Sequence, residues 1–197
     1  MKQRLYLAST SPRRRRLLRQ LGLDFRLLRP ACEERPCRFS PSPRQLAIDR
    51  ARDKALSVCA RVPSGLIVGV DTIVVLKKEI LGKPRDRADA RRMLKLLSGR
   101  SHRVISAVAV VSMPGRRTFA AAESTVVRFR RLSSQEIESY IRTAEPYDKA
   151  GAYAIQGRAG LFISAVHGCY LNVIGLPVPL LLNLLRRAGW RPKAKFP

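Results

Sequence analysis

The run GLIVGVDTIVVL, residues 65–76, constrains this chain more than any other stretch. Apart from two glycines, one aspartate and one threonine it is Leu, Ile and Val. β-Branched side chains favour extended backbone, and an unbroken apolar run bounded by turn formers reads as buried sheet. The run is therefore a central strand pair or one long strand. It also carries Asp71 among apolar neighbours. A buried carboxylate without a partner is costly, so this one must find hydrogen bonds, a metal or a proton. Two readings are open. Asp71 is a strand-end residue bonding backbone in a turn, or it is a carboxylate at the carboxyl end of a strand, where ligands bind in open α/β sheets.

Helices and further strands arrange themselves around that run. RLYLAS reads as a short buried strand, followed by TSPRRRRLLRQLG, where Ser11 suits a helix cap, Pro12 the first turn and Gly22 the stop. FRLLRP is a second strand, and ACEERPCRFSPSPRQ is a loop. Ser42, Pro43 and Gln45 begin a capping box, and the helix after them carries Lys54 and runs to about Arg61. KKEILGKP turns and returns. DRADARRMLKLLSG is a helix opened near Asp86 and closed at Gly99. HRVISAVAVVSM and RTFAAAESTVVRFRRL are adjacent strands joined at PGR. Ser133 and Glu136 form a second capping box, EPYDKAGAYAIQG is turn-rich, LFISAVHGCYLNVIG is strand-like, and LPVPLLLNLLRRAG is a last helix. Alternating strands and helices, then clustered strands, predict an α/β fold on a sheet of mixed direction. The expected organisation is a single domain over residues 1–190, or at most two lobes around a shared sheet, with a basic tail at 191–197.

The net charge of +25 predicts weak, salt-dependent attraction to nucleic acid and other polyanions. The basic residues are spread from Lys2 to Lys195 with no single block, so most read as solvated surface. Cys32, Cys37, Cys59 and Cys169 form no C-x-x-C pair, and His102 and His167 have no cysteine at ligand spacing. Free thiols in a reducing cytoplasm are expected, and a zinc site is not. The apolar runs are too short for a signal peptide or a membrane span, so a cytoplasmic protein without membrane attachment is expected. No Walker loop, G-x-G-x-x-G or G-x-S-x-G elbow occurs, which disfavours P-loop ATPases, Rossmann dehydrogenases and α/β-hydrolases.

The helix opening at Ser11–Arg14 is a second candidate site. Free N–H groups and the macrodipole favour an anion there, and arginine forks add charge-assisted bonds. Consecutive helical residues point about 100° apart, so only Arg13 and Arg14 share a ligand, while Arg15 and Arg16 face solvent or nearby acids. Glu33 and Glu34 are either a solvated loop pair or, beside Asp71, oxygen ligands for a divalent cation. Lys54, Lys83 in GKP and the pair Asp148 and Lys149 in DKAG complete a possible ring of charged groups.

The motifs LASTSPRRRRLL, EERP, GVDTIVVL followed by LGKP, LSGRSHRV, EPYDKAGAYAIQG and GLP occur in that order from residue 5 to about 188. In this order they resemble the Maf family of nucleoside triphosphate pyrophosphatases. The resemblance implies a Maf- and ITPase-like fold: a long mixed, twisted sheet flanked by helices, two lobes with a central cleft, and often a homodimer. It implies a cytoplasmic enzyme that cleaves nucleotides between the α- and β-phosphates with a divalent cation, Mg²⁺ or Mn²⁺. Asp71 matches the family's proton acceptor. Arg13, Thr72 and Gln156 match the positions that mark the branch acting on dTTP and UTP, rather than the branch acting on 7-methyl-GTP. Arg16 stands where many members carry Glu, and Cys169 where Ser is common.

That resemblance implies a division of labour. Ser11, Arg14, Lys54 and Lys83 are expected to hold the triphosphate; Glu33, with Asp71 or a neighbouring acid, to place the metal; and Asp71 to orient or deprotonate the attacking water. Gln156 and Thr72 have the donors and acceptors to read a pyrimidine edge, and Arg13 stacks on the base or bonds to it. Asp148 and Lys149 complete the substrate-binding set. The rival readings are a broader pyrophosphatase for 7-methyl-GTP or other modified nucleotides, and a nucleic-acid-binding or cell-division regulatory protein on the same scaffold.

Overall fold

The apolar run forms one strand, not two. In the computed structural model, which describes residues 3–31 and 42–191, it is β3 (Gly65–Leu76), buried along nearly its whole length. Parallel to it lies β1 (Leu5–Ala8), which pairs on its other side, again in parallel, with β2 (Arg26–Leu28). The short β4 (Glu79–Leu81) returns antiparallel to β3 through a turn at Lys77, whose φ is 55°. The long strands β5 (Ser101–Met113) and β6 (Arg117–Phe129) follow, and β7 (Ile163–His167) pairs antiparallel to β6. The order is β2-β1-β3-β5-β6-β7, with β4 on β3, so the sheet has seven strands of mixed direction. Glu33, Glu34, Cys32, Cys37 and the tail from residue 192 onward lie outside the described residues.

Contacts divide the chain into two units, each assembled from separate segments. The first comprises Met1–Asp71, Ser106–Glu123 and Gly175–Pro197; the second comprises Thr72–Ile105 and Ser124–Ile174.

In the first unit, α1 (Pro12–Gln20) starts with Ser11 in an extended N-cap conformation and Pro12 in the first turn. Leu17 and Leu18 are buried, Arg15 and Arg16 are exposed, and Gly22 ends the helix with a φ of 67° that suits glycine. In α2 (Pro43–Leu56), Ser42 Oγ accepts from the Gln45 N–H at 3.2 Å. The helix stops at Leu56 instead of near Arg61. The Ser57 hydroxyl donates back to the Lys54 carbonyl, and only a 3₁₀ turn, Cys59–Arg61, continues the chain. Tyr6, Ala8, Ala55, Val58, Cys59, Val62, Ile67 and Val111 make a core on this side. The last helix, α6 (Val178–Arg187), buries Val178, Leu181, Leu184 and Leu185.

In the second unit, Asp86 caps α3 (Arg87–Leu97) by accepting from the Asp89 N–H at 2.7 Å. The box at α4 (Ser134–Ile141) is reciprocal: Ser133 Oγ accepts from the Glu136 N–H, and Glu136 accepts from the Ser133 N–H. The segment expected to be strand over LFISAVHGCYLNVIG is strand only in β7. Its second half is a short helix, α5 (Tyr170–Ile174). The reason is a buried polar knot that apolar patterning does not reveal. Gly168 turns the chain at a φ of 119°, and Asn172 Nδ2 donates to the Val104 carbonyl and to Thr125 Oγ1, both at 2.9 Å. Thr125 Oγ1 in turn donates to the Cys169 carbonyl.

His102 sits in the core of this unit with Phe129, Tyr153 and Phe162. Its Nε2 is 2.7 Å from the Tyr153 hydroxyl, and both Phe129 and Tyr153 meet its ring edge to face. Burial pushes the imidazole down to about 4. The unfolded chain takes up this proton near its ordinary value of about 6.5. Between those two values the unfolded state binds more protons, so stability falls as pH falls, and it levels off below the folded value. The expected loss is about 3 kcal/mol between pH 7 and pH 4. Urea titrations of the wild type and of His102→Gln across that range should differ by this slope; parallel profiles would show that His102 is not the group involved.

Candidate active site

In the first unit the catalytic candidates are assembled by one close approach. Gly69 has no side chain, and a Cβ there would lie 2.1 Å from the Ala51 carbonyl oxygen and 2.8 Å from Ala55 N, so α2 presses its backbone on β3. Gly69 and Asp71 share one face of the strand, because side chains alternate with a period of two. The helix pressed on Gly69 therefore delivers Lys54, from its last turn, to Asp71. Lys54 Nζ donates to Asp71 Oδ1 at 2.5 Å. The lysine side chain is 13% exposed and the aspartate side chain 4%. Asp71 Oδ2 is also buried and has no hydrogen-bond partner among the described residues. Asp71 lies in the middle of β3, so it is neither a strand-end residue bonding backbone in a turn nor at the strand's carboxyl end; it is a buried carboxylate with Oδ1 held by Lys54 and Oδ2 without a hydrogen-bond partner among the described residues.

The opening turn of α1 is tied to the same place. Arg14 Nη1 donates to the Val70 carbonyl at 3.0 Å, Arg14 Nε to the Gly175 carbonyl at 2.9 Å, and Arg14 Nη1 also reaches Ser9 Oγ at 3.3 Å. Ser9 Oγ accepts in addition from the Ser11 N–H. Arg14, expected among the phosphate ligands, therefore uses two of its nitrogens to fasten the helix start to the residue before Asp71. Ser11 makes no side-chain cap bond to its own helix. Arg13 is half-buried beside it. Glu33, the other expected metal ligand, lies outside the described residues. Among the described residues no group of three or more His, Cys, Asp or Glu side chains gathers; Asp71 Oδ2 is a hard oxygen donor without a hydrogen-bond partner among those residues.

In the second unit two loops are stitched together. The Gly151 N–H donates to the Gly82 carbonyl at 2.9 Å, which holds the loop of Lys83 beside the loop of Asp148 and Lys149. Gly151 adopts a φ of 72°, and a Cβ there would sit 3.1 Å from the Val74 methyls, so glycine is needed on both counts. Lys83 and Asp148 are exposed, Lys149 is half-buried, and Lys149 pairs with Asp148. Thr72, the residue after Asp71, is half-buried, and Gln156 is exposed.

Two residues of consequence have no short-range sequence signal beyond a glycine in a strand and an acid in a turn. Gly69 sets the approach of α2, and a glycine inside a strand pattern does mark such places. Glu145 organises the turn that carries Gln156: its carboxylate accepts from the Tyr140 hydroxyl at 2.9 Å and from the Arg158 N–H at 3.0 Å.

The model of the family described as Maf-like protein matches residues 4–188. The dTTP/UTP pyrophosphatase of Carboxydothermus hydrogenoformans is 44% identical over 187 residues, which is 95% of this chain and 100% of that protein. The dTTP/UTP pyrophosphatase of Salmonella typhimurium is 48% identical over 182 residues, 92% of this chain and 91% of that one. Among solved structures, the Ham1 protein of Staphylococcus aureus superposes with a TM-score of 0.51 at 12% identity, covering 94% of this chain and 99% of that chain, a likeness of fold.

Proposed function

Because this chain belongs to the Maf-like protein family, as its match over residues 4–188 and its full-length relatives establish, we propose that it is a nucleoside triphosphate pyrophosphatase acting on dTTP and UTP. It hydrolyses the linkage between the α- and β-phosphates, giving the nucleoside monophosphate and pyrophosphate. The observation that carries the reading is the state of Asp71: Lys54 fixes Oδ1, and Oδ2 is buried with no partner among the described residues.

In this mechanism Lys54 orients the carboxylate so that Oδ2 accepts a proton from the attacking water. The water oxygen bonds to the α-phosphorus, and the bond to the oxygen bridging to the β-phosphate breaks. Pyrophosphate leaves with the electron pair. A positioned base of this kind contributes roughly 10²–10⁴-fold. Ser11 and the opening N–H groups of α1 take a phosphate oxygen, and Arg14 keeps that turn in place. Lys83 and Lys149 supply positive charge for the departing group, which is generally the larger contribution, and Asp148 holds Lys149. Gln156, Thr72 and Arg13 select the base.

A divalent cation, Mg²⁺ or Mn²⁺, would fit the hard Oδ2 of Asp71, which has no hydrogen-bond partner among the described residues. Glu33 is the second proposed ligand. When bound, the ion neutralises charge on the phosphates. We place the enzyme in the cytoplasm on its substrate class and on the free thiols Cys59 and Cys169. Among the described residues no helix is long and apolar enough to cross a membrane. Weak, salt-dependent attraction to nucleic acid follows from the net charge of +25, and a homodimer follows from the family resemblance alone.

Pyrophosphate release from dTTP, UTP, CTP, 5-methyl-UTP and 7-methyl-GTP, with Mg²⁺ or Mn²⁺, tests the reading. dTTP and UTP should be the fastest. Fastest turnover of 7-methyl-GTP would move the chain to the other branch, and tight duplex binding without any pyrophosphate release would favour the regulatory alternative.

A further inference from the structure

We infer that Glu145 is a positioning residue for base selection, its carboxylate clamping the turn that presents Gln156. The inference rests on the reading of Gln156 given above.

The clamp is built from four sides. The Tyr140 hydroxyl donates to Oε1 at 2.9 Å, the Arg158 N–H donates to Oε2 at 3.0 Å, and the Ala159 N–H reaches Oε1 at 3.4 Å. The fourth side is a missing side chain. A Cβ on Gly157 would lie 2.2–2.4 Å from the carboxylate atoms, so Glu145 occupies the space that any other residue at 157 would need. The N–H groups of 158 and 159 open the 3₁₀ turn Arg158–Phe162, and their positive ends are where a carboxylate belongs. Burial, reinforced by the Glu145 charge, pushes the Tyr140 phenol up, so the hydroxyl stays a donor.

Gln156 is held between this clamp and a second anchor. The Gly157 N–H donates to the Ala154 carbonyl at 3.0 Å, which closes a tight turn over 154–157 with Gln156 at its third position. On the upstream side Tyr153 is buried against His102. On the downstream side Ala159 and Phe162 are buried, and Phe162 packs edge to face on Tyr140 at 5.2 Å. The backbone of Gln156 is thus fixed at both ends while its side chain is exposed. A selecting amide with a fixed backbone discriminates by hydrogen-bond geometry, whereas a loose one adapts to more than one base edge. None of these groups supplies a proton or charge to the reaction, so releasing the clamp should alter binding and choice more than the chemical step.

Glu145→Gln places an amide NH₂ against one of the two backbone donors, and Gly157→Ala drives a Cβ into the carboxylate. Each should raise KM for dTTP about tenfold, the size of one well-made hydrogen bond, with kcat changed by less than about threefold and the preference for dTTP over GTP reduced to a similar degree. The double variant should be less than additive, because both changes open the same clamp. Tyr140→Phe removes one bond without crowding and should show the same pattern more weakly, which keeps the test alive if Gly157→Ala folds poorly. Unchanged KM and preference in Glu145→Gln and Tyr140→Phe, in a preparation whose wild type is active on dTTP, would overturn this inference alone. A loss confined to kcat would do the same. Absence of dTTP turnover in the wild type would overturn the underlying reading, and so would an unaltered preference in Gln156→Ala.

Discussion

Asp71→Asn is expected to lower the rate of pyrophosphate release from dTTP by roughly 10²–10⁴-fold while leaving a folded protein. The amide oxygen can still accept from Lys54, so the bond to Oδ1 survives the change. What is lost is the proton-accepting oxygen, replaced by an NH₂ group in a buried spot where the native atom has no partner among the described residues. An unsatisfied buried donor costs about 1–3 kcal/mol, enough to lower the melting temperature by several degrees but not to unfold a domain. Lys54→Ala should behave differently. It leaves the Asp71 carboxylate, only 3% exposed, without its counter-ion. Breaking a buried pair in this way costs about 3–5 kcal/mol, which for a chain of this size is a fall of roughly 10 °C. The two variants are thus both inactive but unequal in stability, with Lys54→Ala the weaker fold. Thermal melts beside turnover assays separate them. An Asp71→Asn protein with near wild-type turnover would remove Asp71 from the chemistry.

The contrast between those two substitutions also shows what a sequence can carry. The Asp71 anomaly is local: an acid inside a β-branched run stands out against its neighbours, and the strand that forms is the buried one expected. The cap at Ser133 and Glu136 is equally local, and both halves of its box form. The pairing of Asp71 with Lys54 is not of this kind. The two residues lie on different elements, and their meeting depends on how closely α2 approaches β3, which periodicity does not encode. Arg14 makes the same point. Its place in the first turn was legible, but its bonds to the Val70 and Gly175 carbonyls join segments far apart in the chain. The helix Tyr170–Ile174 reads as strand from sequence because a short apolar run looks alike in either state. What decides it is Asn172, whose side chain bonds to Val104 and Thr125, residues distant in sequence. Glu33 carries half of the metal expectation and lies outside the described residues, so the cation site rests on one described carboxylate.

Gly69→Ala is the substitution that joins fold to site. The added methyl would meet backbone, not a movable side-chain tip: the Ala51 carbonyl oxygen at 2.1 Å and Ala55 N at 2.8 Å, with Ala55 Cβ at 3.0 Å. Contact of this kind can be relieved only by moving α2 away from β3. The residues that would be parted, Ala51 and Ala55 on the helix and Ile67 on the same face of the strand as Gly69, are fully buried. Overpacking a tight interface costs about 1–3 kcal/mol and occasionally more, and opening this one also uncovers apolar surface. The expected fall in melting temperature is about 5–12 °C. Gly115→Ala, whose Cβ would meet nothing within 4 Å, is the control and should melt close to the wild type. The helix that must retreat also carries Lys54, so the 2.5 Å bond to Asp71 should lengthen or break. Turnover of the folded fraction should then fall at least tenfold, because a displacement of about 1 Å in a positioned group costs up to roughly 10²-fold. Activity measured well below the melting temperature tells the two effects apart. A destabilised Gly69→Ala protein with wild-type turnover per folded molecule would mean that Lys54 reaches Asp71 without help from the tight packing of α2.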